Sequence, residues 1–526
     1  MWARTLIAAS ALLPATPAFA QFPPPPPSAA SRRLPESLVQ PTTRAAEPVP
    51  EPDTIKVRIH GEYEARQSLL TSYRLAAIEG SPAKQEQNAR LYHWLRLRPL
   101  LLVGTHWEVR AEADFPRGMI YGTELTHLPD TGTDFERAQP VSGQLRMLRI
   151  TARGKLGEIS VGHAPVQLGM GILDNDGDQS RSFGTPDRAP SFERLQLTSG
   201  EPNSKLRLSA AADLLFEDTR LALVESDQLW RVGLSARFAP SERAWLELLT
   251  RYETLGARDG RGGAQAFVFD VSGGFRAAIR GADGEIFGAY EAAYRIGNVD
   301  EPTAFAATGS EGSVLALAGA ARVGVARLQT KANQRFAQLV VSLDWGLASG
   351  DEDPTDHDVN RFVMARNHGV GLLLFGELMR FKTSRAQALL AQQDPEAGSA
   401  RVFGLATTGG IAGATYLNPV VVVRPDPQLD LSFGLVVAST TGHLVDPSRV
   451  ATDGERRNFD GGSVLGRSLG SELDLGGRLR VPLDPPMELR LSVEGGVAFP
   501  GSAFDDEQGH GIGTQALGTA GIGLTF

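Results

Sequence analysis

From Ile55 onward apolar residues recur at every second position, and nowhere after residue 20 do they run unbroken for the ~18 residues a membrane helix needs. A period of two belongs to β-strands with one greasy face. The last stretch shows it: Ala516, Gly518, Ala520, Ile522, Leu524 and Phe526 fall on one side, Gln515, Thr519, Gly521, Gly523 and Thr525 on the other. Ile55, Val57, Ile59 and Tyr63 alternate with Lys56, Arg58, His60, Glu62 and Glu64, so the second face is charged. Such strands suit a closed cylinder in a bilayer, with one face against hydrocarbon and the other against water. The 42% hydrophobic content agrees, since only alternate residues then meet lipid. A water-soluble all-β repeat protein would share the alternation and is the alternative.

Alternating stretches fall near 55–66, 91–103, 106–116, 145–154, 157–165, 193–199, 204–216, 229–239, 244–254 and 265–277. Others follow near 285–295, 313–326, 335–348, 411–424, 428–440, 469–482, 487–500 and 514–526. The expected fold is therefore an all-β, antiparallel, up-and-down transmembrane barrel of about 18 strands, within a range of about 16–20. Connector lengths supply a second test. Long ones (67–90, 117–144, 166–192, 217–228, 255–264, 296–312, 349–410, 441–468, 501–513) alternate with short ones such as Gly104-Thr105, Lys155-Leu156 and Pro425 to Pro427. That asymmetry predicts long extracellular loops, short periplasmic turns and both termini in the periplasm. Within 349–410, the apolar Val370 to Phe381 and a helical pattern from Thr383 to Gln393 predict an outer or inward-folded loop carrying a short helix.

Residues 1–20 read as a signal peptide, with Arg4, an apolar stretch from Leu6 to Leu13 and Ala18-Phe19-Ala20 before the cleavage point. Residues 21–53, rich in proline, read as an extended periplasmic linker, and 54–526 as the outer-membrane barrel. The expected partners are the lipid bilayer, lipopolysaccharide and, through the terminal strand ending at Phe526, the barrel-assembly machinery. The absence of cysteine excludes disulfides and thiol chemistry, and a net charge of −9 without basic runs argues against nucleic acid.

By strand phase the lumen is lined by Arg58, Glu62, Arg96, Arg98, Glu112, Arg149, Arg153, Arg231, Asp344, Glu472, Arg478, Arg480, Glu488 and Arg490, with Glu291, Asp474 and Glu494 on the same face. Neither sign predominates. Opposed charges of this kind either orient solutes in an aqueous channel or pair to fill the interior. No cofactor is expected beyond calcium in the outer loops, where Asp174, Asp176 and Asp178 alternate around Gly177. That tract departs from an EF-hand loop because it has no glutamate at the twelfth position. The nine histidines are scattered, and no Gly-x-Ser-x-Gly or His-Glu-x-x-His pattern occurs, so no enzyme is expected. His93 falls on the lipid side with Leu91 and Leu95, an awkward place for an imidazole.

The stretch Trp345-Gly346-Leu347-Ala348-Ser349-Gly350-Asp351-Glu352-Asp353-Pro354 resembles the Ser-Gly-Asp-acidic-Pro segment of alginate-export-like outer-membrane porins. Gly171-Ile172-Leu173-Asp174-Asn175-Asp176-Gly177 is similar to a barrel family of myxobacteria and their neighbours. The resemblance implies a monomeric pore of about 18 strands whose lumen arginines attract a polyanion. This chain departs from that pattern by placing nearly as many carboxylates on the same face, which counts against polyanion selectivity. The expected function is passive passage of small hydrophilic solutes or oligosaccharides. An adhesive surface barrel with acidic loops and an outer-membrane hydrolase are the alternatives.

Overall fold

Strands with one charged and one apolar face leave two exposed edges unless the sheet closes on itself. In the computed structural model it closes. Its strands are β1 (Ile55–Leu70), β2 (Ala89–Val103), β3 (Trp107–Gly122), β4 (Ser142–Gly154), β5 (Gly157–Pro165), β6 (Ser191–Ser199), β7 (Leu206–Glu217), β8 (Gln228–Ser241) and β9 (Ala244–Gly256). They continue as β10 (Gly263–Ala278), β11 (Gly284–Asp300), β12 (Glu311–Leu328), β13 (Gln338–Ala348), β14 (Ala414–Asp426), β15 (Leu429–Thr440), β16 (Ser468–Pro482), β17 (Glu488–Pro500) and β18 (Gln515–Thr525). Each pairs antiparallel with its sequence neighbour, and β18 returns to β1 with Tyr63 opposite Leu524, which completes an 18-stranded cylinder. The described residues are 54–71, 89–122, 142–178, 181–184, 190–201, 204–217, 228–256, 263–279, 284–300, 311–328, 338–353, 356, 358–393, 407 and 409–526. The expected leader and linker lie outside them.

All the expected stretches coincide with strands, and no further strand occurs among the described residues of 349–413. That segment instead holds a π-helical turn (Leu374–Met379) running into α1 (Arg380–Gln393). Several strands outrun their expected ends on the long-loop side. β3 continues to Gly122 because irregular pairing around Asp114 and Arg117 breaks the alternation that marks a strand in sequence.

The alternation sorts side chains as expected. Leu339, Val341, Leu343 and Trp345 on β13 face outward and are exposed, whereas Val340, Ser342 and Asp344 are buried inside. Similar rows follow on neighbouring strands, including Phe267, Phe269 and Phe275 on β10 and Leu315, Leu317, Val323 and Val325 on β12. Water-soluble monomers rarely tolerate a contiguous apolar surface on this scale. His93 is placed outward, where its Nδ1 lies 3.5 Å from the Tyr63 hydroxyl across the β1–β2 pair, giving the imidazole a polar partner. At the closing seam Gly61 exchanges two backbone hydrogen bonds with Phe526 (2.8 and 2.9 Å), and the phenyl ring covers the glycine. A Cβ on Gly61 would lie 2.2 Å from that ring, so a side chain there would have to displace the phenyl group.

Candidate pore and its constriction

The two ends of the cylinder differ. Short turns join β2 to β3, β4 to β5, β8 to β9, β14 to β15 and β16 to β17; the long connectors leave the opposite end, 166–190 and 349–413 among them. Both of these enter the lumen.

The first turns at Leu168–Gly171 and docks on β11, where the Glu291 carboxylate accepts the amides of Ile172 and Leu173, each at 3.2 Å. Asp174 then meets two guanidinium groups, Arg231 at 3.2 Å and Arg251 at 2.5 Å. Glu253 joins Arg231, Arg251 and Arg295 at 3.0, 2.6 and 3.3 Å. Burial by itself would raise the Asp174 carboxyl, but Arg251 and Arg231 outweigh it and hold it below its ordinary range. Further on, Gly184 donates its amide to Glu494 at 3.0 Å, and Arg66 reaches the same oxygen at 2.5 Å.

The second leaves the end of β13 and passes the start of β12, where Val359 bonds to Ser313 and Leu315 as a short extra strand would. It crosses to the first loop through the Ala365 amide to the Ile172 carbonyl (2.8 Å) and through Arg181 to the carbonyls of Arg366 and Asn367, both at 3.1 Å. Its apolar side chains, among them Phe362, Met364, Leu372, Leu373, Phe375 and Met379, form one cluster with Ile172 and Phe183 of the first loop. On the wall, that cluster meets Ala316, Ala318, Ala320 and Val436. Alanines on the inward face of β12 leave the room this inner core occupies. Glu377 of the π turn pairs with Arg90 at 2.6 Å, and Lys382 of α1 binds both oxygens of Asp460 at 2.8 Å. Burial pulls the Lys382 ammonium below its ordinary range, against the opposing pull of Asp460. His368 is also sealed in, 2.8 Å from the Tyr416 hydroxyl and 3.3 Å from the Met170 carbonyl; burial brings its imidazole down to about 4.

This packing divides the residues expected to line the lumen. Arg96, Glu112, Arg231, Asp344 and Glu472 are buried at mid-height. Arg96 grips Asp114 at 2.7 and 3.0 Å, Asp344 takes a two-pronged bond from Arg322 at 2.7 and 2.6 Å, and Glu472 accepts amides of the second loop. Nearer the short-turn end the inward side chains are open, with Arg98, Arg153, Arg478, Arg480 and Arg490 between 25% and 33% exposed. Arg58, Arg149 and Glu488 are half-buried in the same region. Glu62, at 19%, receives Arg490 at 3.3 Å and Arg98 at 3.4 Å. The near balance of charges in the sequence is thus unequal in space, with most carboxylates tucked behind and guanidinium groups presented to the cavity.

Asp174, Asp176 and Asp178 do not converge on a cation. Asp174 is committed to its arginines, Asp176 accepts the Asp178 amide at 2.9 Å, and Asp178 lies 3.9 Å from Arg98. Among the described residues no group of three potential metal ligands comes together. Arg251 and Glu253 escaped the sequence reading although their phase on β9 was regular; Arg117 and Arg146 escaped it because each lies beyond an irregular pairing.

Among solved structures, the chain is similar to OccAB1 of Acinetobacter baumannii, with a TM-score of 0.47 and 10% identity over 89% of this chain and 96% of that one. It is similar to the outer membrane protein OprD from Pseudomonas aeruginosa (TM-score 0.46, 10% identity, 89% and 94% covered) and to OccK5 (OpdH) of the same organism (0.44, 12%, 89% and 97%). No protein-family model and no curated protein matches the sequence.

Proposed function

We propose that this protein is a channel of the Gram-negative outer membrane through which small hydrophilic solutes, oligosaccharides included, pass passively, and that the open arginines near the short turns bias it toward anions. The observation that carries the reading is the pairing of an apolar outer wall with an inner cavity in which the more exposed of the lining charges are mostly guanidinium groups. A hydrocarbon solvent demands the first, and a water-filled lumen explains the second. In this setting the long loops face the cell exterior beside lipopolysaccharide. The likeness of Trp345 to Pro354 to alginate-export-like porins makes uronate oligomers the first solutes to try.

Purified protein in planar bilayers, titrated with uronate oligomers, phosphate and neutral sugars, tests this. Current blocked more strongly by the anions is expected, and replacing Arg478 and Arg490 by glutamate should move the reversal potential toward cations. An unmoved reversal potential would sink the assignment of those two residues. A surface barrel that binds a partner is the second reading, favoured by how fully the inward loops cover the wall at mid-height. A folded protein that carries no current would support it.

A further inference from the structure

The two inward loops dock through the same short device. Gly169-Met170-Gly171-Ile172-Leu173 in the first and Gly369-Val370-Gly371-Leu372-Leu373 in the second share the order glycine, apolar, glycine, apolar, leucine. Each wraps backbone amides around one carboxylate of the wall. Ile172 and Leu173 donate to Glu291 at 3.2 Å; Leu372, Leu373 and Leu374 donate to Glu472, the last two at 2.7 Å. The glycines have a double reason to be there. Gly171 (φ 80°) and Gly371 (φ 67°) take the left-handed conformation, and a Cβ on Gly169 or Gly371 would stand 2.7 Å from the oxygen of Glu291 or Glu472.

The sockets match on the wall side too. Glu291 and Glu472 are 1% and 0% exposed, and each shares its inward face with a second buried wall acid, Asp270 on the neighbouring strand or Asp474 two residues along. A buried carboxylate that lost its amides would have neither water nor another donor set, which favours a seated loop or a fully released one.

We propose that Glu291 and Glu472 are positioning residues for the passage: matched sockets whose grip on the two loops sets the width of the lumen. This rests on the channel reading above. Hydrogen exchange on the refolded full chain reads the grip without reference to transport. In Glu472→Gln the amides of Leu372 to Leu374 should exchange at least about tenfold faster than in the unmodified protein, with those of β16 unchanged. Gly371→Ala disturbs the same socket from the loop side and leaves the wall intact, so it should free the same amides even if Glu472→Gln does not assemble. Both variants should raise single-channel conductance and admit larger neutral sugars. Unaltered protection in both variants would overturn the socket. Lost protection with unaltered conductance would overturn its role in setting the passage. Absence of current from every version, the unmodified protein included, would fail the channel reading itself, while the exchange result would still decide whether the sockets hold the loops.

Discussion

At the scale of single residues, burial separates charges that look alike in sequence. Arg96 and Arg490 are both lumen arginines by phase, yet Arg96 is buried against Asp114 while Arg490 is 33% exposed beside Glu62. Removing one partner of a buried pair strands the other. Arg96→Ala should therefore cost about 3 kcal/mol, read as a lower denaturant midpoint of the detergent-folded barrel, whereas Arg490→Ala should cost under about 1 kcal/mol and act on ion selectivity. Equal midpoints for the two would contradict that division. Gly61 makes a sharper case, since the Phe526 ring fills the space its side chain would take. Gly61→Val should destabilise the seam by about 1–3 kcal/mol, and adding Phe526→Ala should recover part of the loss. Simple additivity of the two changes would refute the seat. Strand phase made the direction of each side chain legible, but not which arginines stay open, because that depends on what the loops cover.

At the scale of elements, strands were legible and loops were not. A strand announces itself by alternation wherever its two faces meet different solvents, and that signal fades at β3 and β4, where the pairing register shifts near Arg117 and Arg146. The inward loops carry no such period. Their fold depends on wall carboxylates far away in sequence, as when Leu373 meets Glu472, 99 residues on. What could be read was composition: the apolar Val370 to Phe381 pointed to an outer or inward-folded loop without deciding between them, and the structure places it inside the cylinder. The same burial gives the second loop a pH dependence through His368. Its imidazole titrates at about 4 when seated and near the ordinary 6.5 when released, so the released loop binds the extra proton between those values. Seating should be strongest above pH 6.5 and weaken as the pH falls toward 4. Amide exchange of Met364 to Leu374, corrected for its intrinsic pH dependence, should report more frequent opening at pH 4.5 than at pH 7. In His368→Gln that difference should shrink, and an equal difference in both proteins would show the histidine is not its source.

At the scale of the whole molecule, parity governs the shape. Up-and-down strand order places successive connectors at opposite ends, so the long ones gather at one end and the short turns at the other, and the loops that dive inward come from the long end. The cylinder thus has an inner apolar core toward one mouth and an open, guanidinium-rich cavity toward the other. Eighteen strands make a barrel too wide for wall side chains to fill, which is why those loops decide how much lumen is left. The central claim is that water-borne solutes cross through what remains. Single-channel recording of the refolded full chain in a planar bilayer tests it most directly. Discrete, reproducible conductance steps with anion preference are predicted, and a correctly folded, membrane-inserted barrel that passes no current would contradict the account.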